Sequence, residues 1–212
     1  KENLRSYFIM LADLPKISFF NFFKLQVDGK FLNNKKDDLI SKNHLLPSSC
    51  KFLDEQEFAK VYFGWNLEGI YLNFEIDLLE IEFLKDDFID VFIDTKDLKT
   101  KGYLSKYCHH FVFHPIREEK KENTKFRSDD MHKLCDDKDL SMLVKKLDEK
   151  KYLMEIFIPS FCMYGYDPKN YQKISFSYRI RNGLYYQHFY VTSSEYTIQK
   201  NPSLWTTLNL VK

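Results

Sequence analysis

The chain has little to build helices from and nothing to cross a membrane with. Alanine, the best helix former, occurs only at Ala12 and Ala59 in 212 residues. No stretch approaches the roughly 20 apolar residues of a membrane span, and the apolar run from Tyr7 to Leu14 is short and lacks a cleavage-type ending. Membrane insertion is therefore not expected. An excess of one charge is also missing, because 32 Lys+Arg face 31 Asp+Glu for a net charge of +1. Such a balance gives no field to draw in a phosphate backbone, so nucleic acid is not expected as a partner. The four cysteines, Cys50, Cys108, Cys135 and Cys162, form no CxxC pair and no dense framework. That pattern suits reduced thiols in a cytoplasmic protein, although their even number leaves disulfides open. No Gly-rich phosphate loop, nucleophile elbow or HExxH occurs, so no catalytic residue is assigned.

What the chain has in abundance is aromatic. Twenty Phe and 14 Tyr bring aromatic residues to 17%, a bias toward strands. With 44% hydrophobic and 30% charged residues, the length suits one all-β domain spanning 1–212. Residues 1–60 read as an irregular N-terminal part: a strand or two in the apolar stretch Ile17 to Val27, a turn at Asp28-Gly29, then the polar run Asn33 to Asp38.

The sandwich core is expected over 61–212. Val61 to Trp65 and Ile70 to Ile76 flank Asn66 to Gly69 as a hairpin. Period-2 alternation in its second strand puts Ile70, Leu72, Phe74 and Ile76 on one face and Tyr71, Asn73 and Glu75 on the other. Phe88 to Ile93 and Tyr107 to His114 read as further strands, the latter ended by Pro115. Residues 117–150 are highly charged and read as one long, exposed and mobile loop. Leu143 to Leu147 and Tyr152 to Ile158 make a second hairpin around Asp148-Glu149-Lys150. Asn182-Gly183 marks a third, as a type I′ turn between Ile174 to Arg181 and Leu184 to Val191. Trp205 to Val211 closes the domain. Many short strands without long helical periodicity predict an all-β, two-sheet antiparallel β-sandwich of jelly-roll-like type.

The hairpin around Asn66, the Asp-rich strand, the long loop and Tyr-x-x-Glu-Ile-x-Ile-Pro follow in an order that resembles DOMON-like and family 9 carbohydrate-binding-module-like sandwiches. Asp94-Thr95-Lys96-Asp97, Lys106 to Phe111, Ile158-Pro159 with Gly165 to Pro168, and Asn201 to Trp205 are similar to a bacterial branch of that group. The resemblance spans roughly Val61 to Lys212. It implies a β-sandwich that holds a sugar or other small ligand with aromatic side chains, in some members with structural calcium.

Three constellations carry candidate chemistry. Cys108, His109, His110 and His114 are zinc-ligand types, yet on a strand Cys108, His110 and His114 share one face while His109, Phe111 and Phe113 share the other. His132 and Cys135 complete a ligand set only if the charged loop folds back, so no metal is assigned. Asp86, Asp87, Asp90, Asp94 and Asp97 leave calcium open, but their spacing is not that of a calcium loop. Asp90 or Asp94 pairing with Arg179 or Arg181 is the structural alternative. On the strand before Asn182, the apolar face is Ile174, Phe176, Tyr178 and Ile180; the other carries Arg179 and Arg181, suited to a carboxylate or phosphate. Trp65 reads as core and Trp205 as an anchor for the last strand.

These residues predict a non-catalytic binding module for carbohydrate or another small polar ligand, with Tyr71, His110, Arg179, Arg181 and Tyr185 as ligand-binding residues. Stacking and charge-assisted hydrogen bonds would hold the ligand. The alternatives are a protein–protein adaptor or assembly domain and, more weakly, a metal-dependent enzyme using the histidine cluster.

Overall fold

The computed structural model describes residues 26–32, 39, 41–79, 83–126, 129–190 and 197–212. The run Tyr7 to Leu14, most of Ile17 to Val27 and the run Asn33 to Asp38 lie outside them.

Eleven strands form one continuous ladder that folds over on itself: β1 (Gln26–Phe31), β2 (Ala59–Asn66), β3 (Gly69–Asp77), β4 (Phe88–Asp94), β5 (Cys108–His114), β6 (Glu119–Glu122), β7 (Ser141–Lys146), β8 (Lys151–Pro159), β9 (Lys173–Asn182), β10 (Tyr185–His188) and β11 (Thr206–Val211). The spatial order is β6-β5-β4-β9-β11-β1-β2-β3-β8-β7, with β10 pairing β9. Among the described residues, a four-residue helix, α1 (Cys50–Leu53), precedes β2. The all-β sandwich predicted from the pattern is what the chain forms. Antiparallel pairing has one exception, since β1 runs parallel to both β11 and β2 and thereby joins the two halves.

The alternation read from the sequence places the core. Ile70, Leu72, Phe74 and Ile76 of β3 are fully buried, facing Ile89, Val91 and Ile93 of β4 and Phe176 and Tyr178 of β9 in one cluster. Rings meet across the sandwich, Phe63 against Phe176 at 5.2 Å and Phe74 against Tyr178 at 5.9 Å, both edge to face. Such pairs add roughly 1 kcal/mol each beyond their buried area. Trp65 is core, its indole N–H donating to the Gly29 carbonyl at 2.8 Å.

Three local expectations are corrected. Asp28-Gly29 lies inside β1 and makes no turn. Gly29 is there for space, because a Cβ would come within 2.6 Å of the Phe63 ring. The hairpin near Asn182-Gly183 has a register one residue later: Tyr185 pairs with Asn182, leaving Gly183 and Leu184 as the loop, with φ of 61° at Gly183. Asn182 is instead a buried strand residue whose side chain accepts from Leu79 N and donates to Asp87. Finally, residues 117–150 are not one exposed loop. They contain β6, which the charge concealed, and β7, which covers most of the strand expected at Leu143 to Leu147; Leu140 is buried, and Met142 and Val144 pack against the core.

The opposite face of β4 and β5 has its own cover. Phe92, Leu104, Cys108, Ile198, Leu204 and Trp205 form a second cluster. Trp205 anchors it as expected, its indole N–H donating to the Ile198 carbonyl at 2.9 Å. Phe92 stacks on Trp205 at 5.6 Å and on His110 at 4.6 Å, and this row of rings ends at a cleft.

Candidate functional site

Adjacent strands β5, β4 and β9 present His110, Asp90 and Arg179 side by side on the face turned away from the main core, because strand residues two apart share a face. Asp90 is the hub. Its Oδ1 lies 2.8 Å from His110 Nε2, and its Oδ2 accepts from Arg179 Nε at 2.8 Å and also from Arg179 Nη2. Asp90 and His110 are 2% and 7% exposed, so the trio forms a nearly closed floor in which the Asp90 carboxylate pairs with the Arg179 guanidinium. Arg179 in turn lies over the Phe88 ring, 5.1 Å from its centroid.

Above this floor opens a cleft of about 450 Å³, walled by Phe88, Val112 and His114 and rimmed by Asn123, Lys125, Thr197, Gln199 and Lys200. That volume falls within the range of small-molecule sites. Its chemistry is mixed: an aromatic ring, an aliphatic patch, and amide, hydroxyl and ammonium groups.

Of the five residues expected to bind ligand, His110 and Arg179 meet here. Tyr71 does not, because β3 belongs to the other half of the sandwich, where Tyr71 stacks on Phe157 at 4.5 Å and is 9% exposed. Arg181 lies outside the lining and donates to the Gly183 carbonyl at 2.9 Å, bracing the hairpin loop. Tyr185 stands exposed at the start of β10, away from the cleft. Asn123, Gln199 and Lys200 escaped sequence reading because they come from segments with no periodic pattern.

The aspartates Asp86, Asp87, Asp90, Asp94 and Asp97 do not converge on a calcium site. Asp94 accepts backbone N–H groups of Lys96, Leu98 and Lys99, and burial pushes its carboxyl up. Asp97 accepts from Ser175 and Thr207, Asp87 from Leu84 N, Asn182 and Gly183 N, and Asp86 from Arg117.

The histidines separate as strand geometry requires, and Cys108, His110 and His132 do not converge. His109 takes the core-facing side of β5, and Glu122 of β6 shares that side because it pairs with Phe111. The charged segment does fold back, bringing His132 beside them. Glu122 Oε1 lies 2.8 Å from His109 Nδ1 and 2.9 Å from His132 Nε2, and accepts from Thr124 Oγ1 at 2.9 Å; Oε2 accepts from Cys135 N. Burial opposes the charge on Glu122, but hydrogen bonds from His109 and His132 outweigh it and hold the carboxyl at about 2. Burial likewise pushes His109 down. Glu122 is indistinguishable in sequence from the solvated charges beside it, since it directly follows the run Glu118 to Lys121.

Cys135 and Cys162 form a disulfide, while Cys50 and Cys108 are free and buried, which corrects the expectation of four reduced thiols. Among the described residues, no helix is long and apolar enough to cross a membrane.

The chain is a two-halved β-sandwich with a polar, aromatic-walled cleft on one outer face. Solved structures give the fold its place. A family 9 carbohydrate-binding module from Caldicellulosiruptor kristjanssonii in complex with cellotriose matches with a TM-score of 0.64 over 88% of this chain and 94% of that one, at 13% identity. A family 9 module from the same organism in complex with glucose matches with the same score and identity over 89% and 96%. The fold is thus that of family 9 carbohydrate-binding modules. No protein-family model and no curated protein matches the sequence.

Proposed function

We propose that this chain is a non-catalytic carbohydrate-binding module whose sugar occupies the cleft over Asp90, His110 and Arg179. The observation that carries the reading is the matched Asp90–His110–Arg179 floor beneath a 450 Å³ cleft with the Phe88 ring on its wall. A sugar offers hydroxyl edges to polar side chains and a C–H face to an aromatic ring, and this cleft offers both. The solved modules of the same fold, in complex with cellotriose and glucose, support the ligand class. A second cleft of about 480 Å³, near Phe31 and Trp65, suits a sugar less well, since Trp65 is 2% exposed and its indole N–H is already spent on Gly29.

The test is isothermal titration of the purified chain with glucose, cellotriose and a panel of neutral and acidic oligosaccharides. Binding that Phe88→Ala weakens by roughly tenfold supports the cleft. No heat and no thermal shift across the panel would overturn the reading. Location is a separate proposal: the sparse cysteines favour the cytoplasm, whereas the Cys135–Cys162 disulfide supports an oxidising compartment.

A further inference from the structure

The buried cluster of His109, Glu122 and His132 lies apart from the cleft, and its protons do not balance with neutral rings. His132 Nδ1 is 2.6 Å from the Lys106 carbonyl, an acceptor, so that nitrogen carries a proton. A neutral imidazole has only one N–H, so Nε2 then turns a lone pair toward Glu122 Oε1, another acceptor, at 2.9 Å. His109 is arranged the same way, with Nε2 3.4 Å from the Tyr164 carbonyl and Nδ1 2.8 Å from the same carboxylate oxygen. That oxygen already accepts from Thr124. Protons alone close this count only by burying one more of them, either on His132 as an imidazolium beside the His109 ring, whose centroid is 4.3 Å away, or on Glu122 as a neutral acid, with the two ring side chains 3% and 0% exposed. A divalent cation closes it with both rings neutral and both lone pairs directed inward.

We propose that His109 Nδ1, His132 Nε2 and Glu122 Oε1 form a binding site for a divalent transition-metal ion, zinc in the first instance. These atoms lie within 4.8 Å of one another. Two imidazoles and one carboxylate match the borderline character of zinc, whereas calcium calls for six or more oxygens. The surroundings fit a held ion. The Lys106 and Tyr164 carbonyls fix the tautomers of the two rings, and Thr124 and Cys135 N fix the carboxylate, which is how ligands to metals are oriented. Tetrahedral zinc needs ligand atoms about 3.4 Å apart, so the contacts to Glu122 would open by roughly half an ångström. The ion's work would be structural: it pins the edge strand β6 and the segment around His132 to β5, where the sequence is otherwise too charged to pack. Nothing in this assignment depends on a sugar.

Metal analysis of the full chain, purified and dialysed against metal-free buffer, is the test. About one zinc per chain is expected, with a melting temperature that falls with chelator and recovers with added zinc. Glu122→Gln and His132→Ala should retain roughly tenfold less zinc, while His44→Ala, outside the cluster, retains it. Retained zinc that neither substitution alters would overturn the site, as would a chain that holds no zinc and whose melting temperature ignores both zinc and chelator. If the variants fail to fold, cobalt added to the stripped wild-type chain decides: a visible absorption band of four-coordinate cobalt supports the site. Its absence, with both nitrogens of His132 protonated by NMR, would show an imidazolium–carboxylate pair instead.

Discussion

Asp90 accepts from Arg179 Nε at 2.8 Å on one carboxylate oxygen while its other oxygen lies 2.8 Å from His110 Nε2. Two consecutive strands, β4 and β5, and the distant β9 are tied at this one side chain, and it supports the floor of the cleft. Removing one partner leaves the others buried without compensation. Asp90→Ala should therefore cost about 3 kcal/mol, measured by urea denaturation. An apolar double replacement, Asp90→Leu with Arg179→Met, should recover much of that loss, since it removes both charges at once. Equal instability of the single and double variants would mean that packing, not charge pairing, holds the floor.

The rim should affect affinity without affecting the fold. Asn123→Ala and Gln199→Ala are each expected to weaken sugar binding roughly fivefold, the loss of one neutral hydrogen bond. Their unfolding free energies should stay within about 0.5 kcal/mol of the parent. Tyr185→Ala, at the exposed end of β10, should change neither quantity. Titration calorimetry on the three variants checks this, and a large loss of affinity with Tyr185→Ala would move the site to the hairpin.

Thiol counting tests the cysteine chemistry. Burial pushes Cys108 up to about 12 and raises Cys50 as well, which disfavours the thiolate at both. The native chain should react slowly with a disulfide reagent. After denaturation two thiols should appear, Cys50 and Cys108, and two more only after reduction. The disulfide closes a sequence separation of 27, so Cys162→Ala should cost about 3.5 kcal/mol in chain entropy.

Stripped of metal, the protein should unfold with acid in two stages. His109 is pushed below 6.5 by burial, so the unfolded chain takes up a proton there that the folded chain refuses, and stability falls as pH drops through 6.5. Glu122, held at about 2 against an ordinary 4.5, contributes stability that is present above 4.5 and is lost as pH falls toward 2. Asp94 works in the other direction, its raised carboxyl accepting a proton readily in the fold and softening the second stage. Melting temperatures at pH 7.5, 5.5, 4 and 3 should decline throughout. Glu122→Gln should flatten the lowest part of the profile; an unchanged profile would assign acid lability to other groups.

Much of the fold was readable from the residues because apolar side chains in several strands recur with a two-residue period, even though β2, β4 and β5 are buried on both faces. Ile70 to Ile76, Ile174 to Ile180 and the hairpin at Asn66 alternate cleanly, and the structure buries the faces so marked. Half of the candidate site was readable for the same reason: His110 and Arg179 are the polar partners of apolar neighbours on their strands. Reading failed where a neighbour in space overrides local pattern. Gly29 looked like a turn because its reason for being small is the Phe63 ring. Asn182 looked like a turn residue because its partners, Leu79 and Asp87, are distant in the chain.

The sequence by itself determined that the chain is all-β and which faces of its strands are apolar, since those properties depend on residue type and spacing alone. Only the tertiary structure decided that Asp90 meets both His110 and Arg179, that Glu122 is buried between His109 and His132, and that Cys135 bonds Cys162. Each of those pairings joins segments through the order of strands in the ladder. Local residue preferences act over a few positions, whereas strand order is set by how the whole sandwich closes over its core.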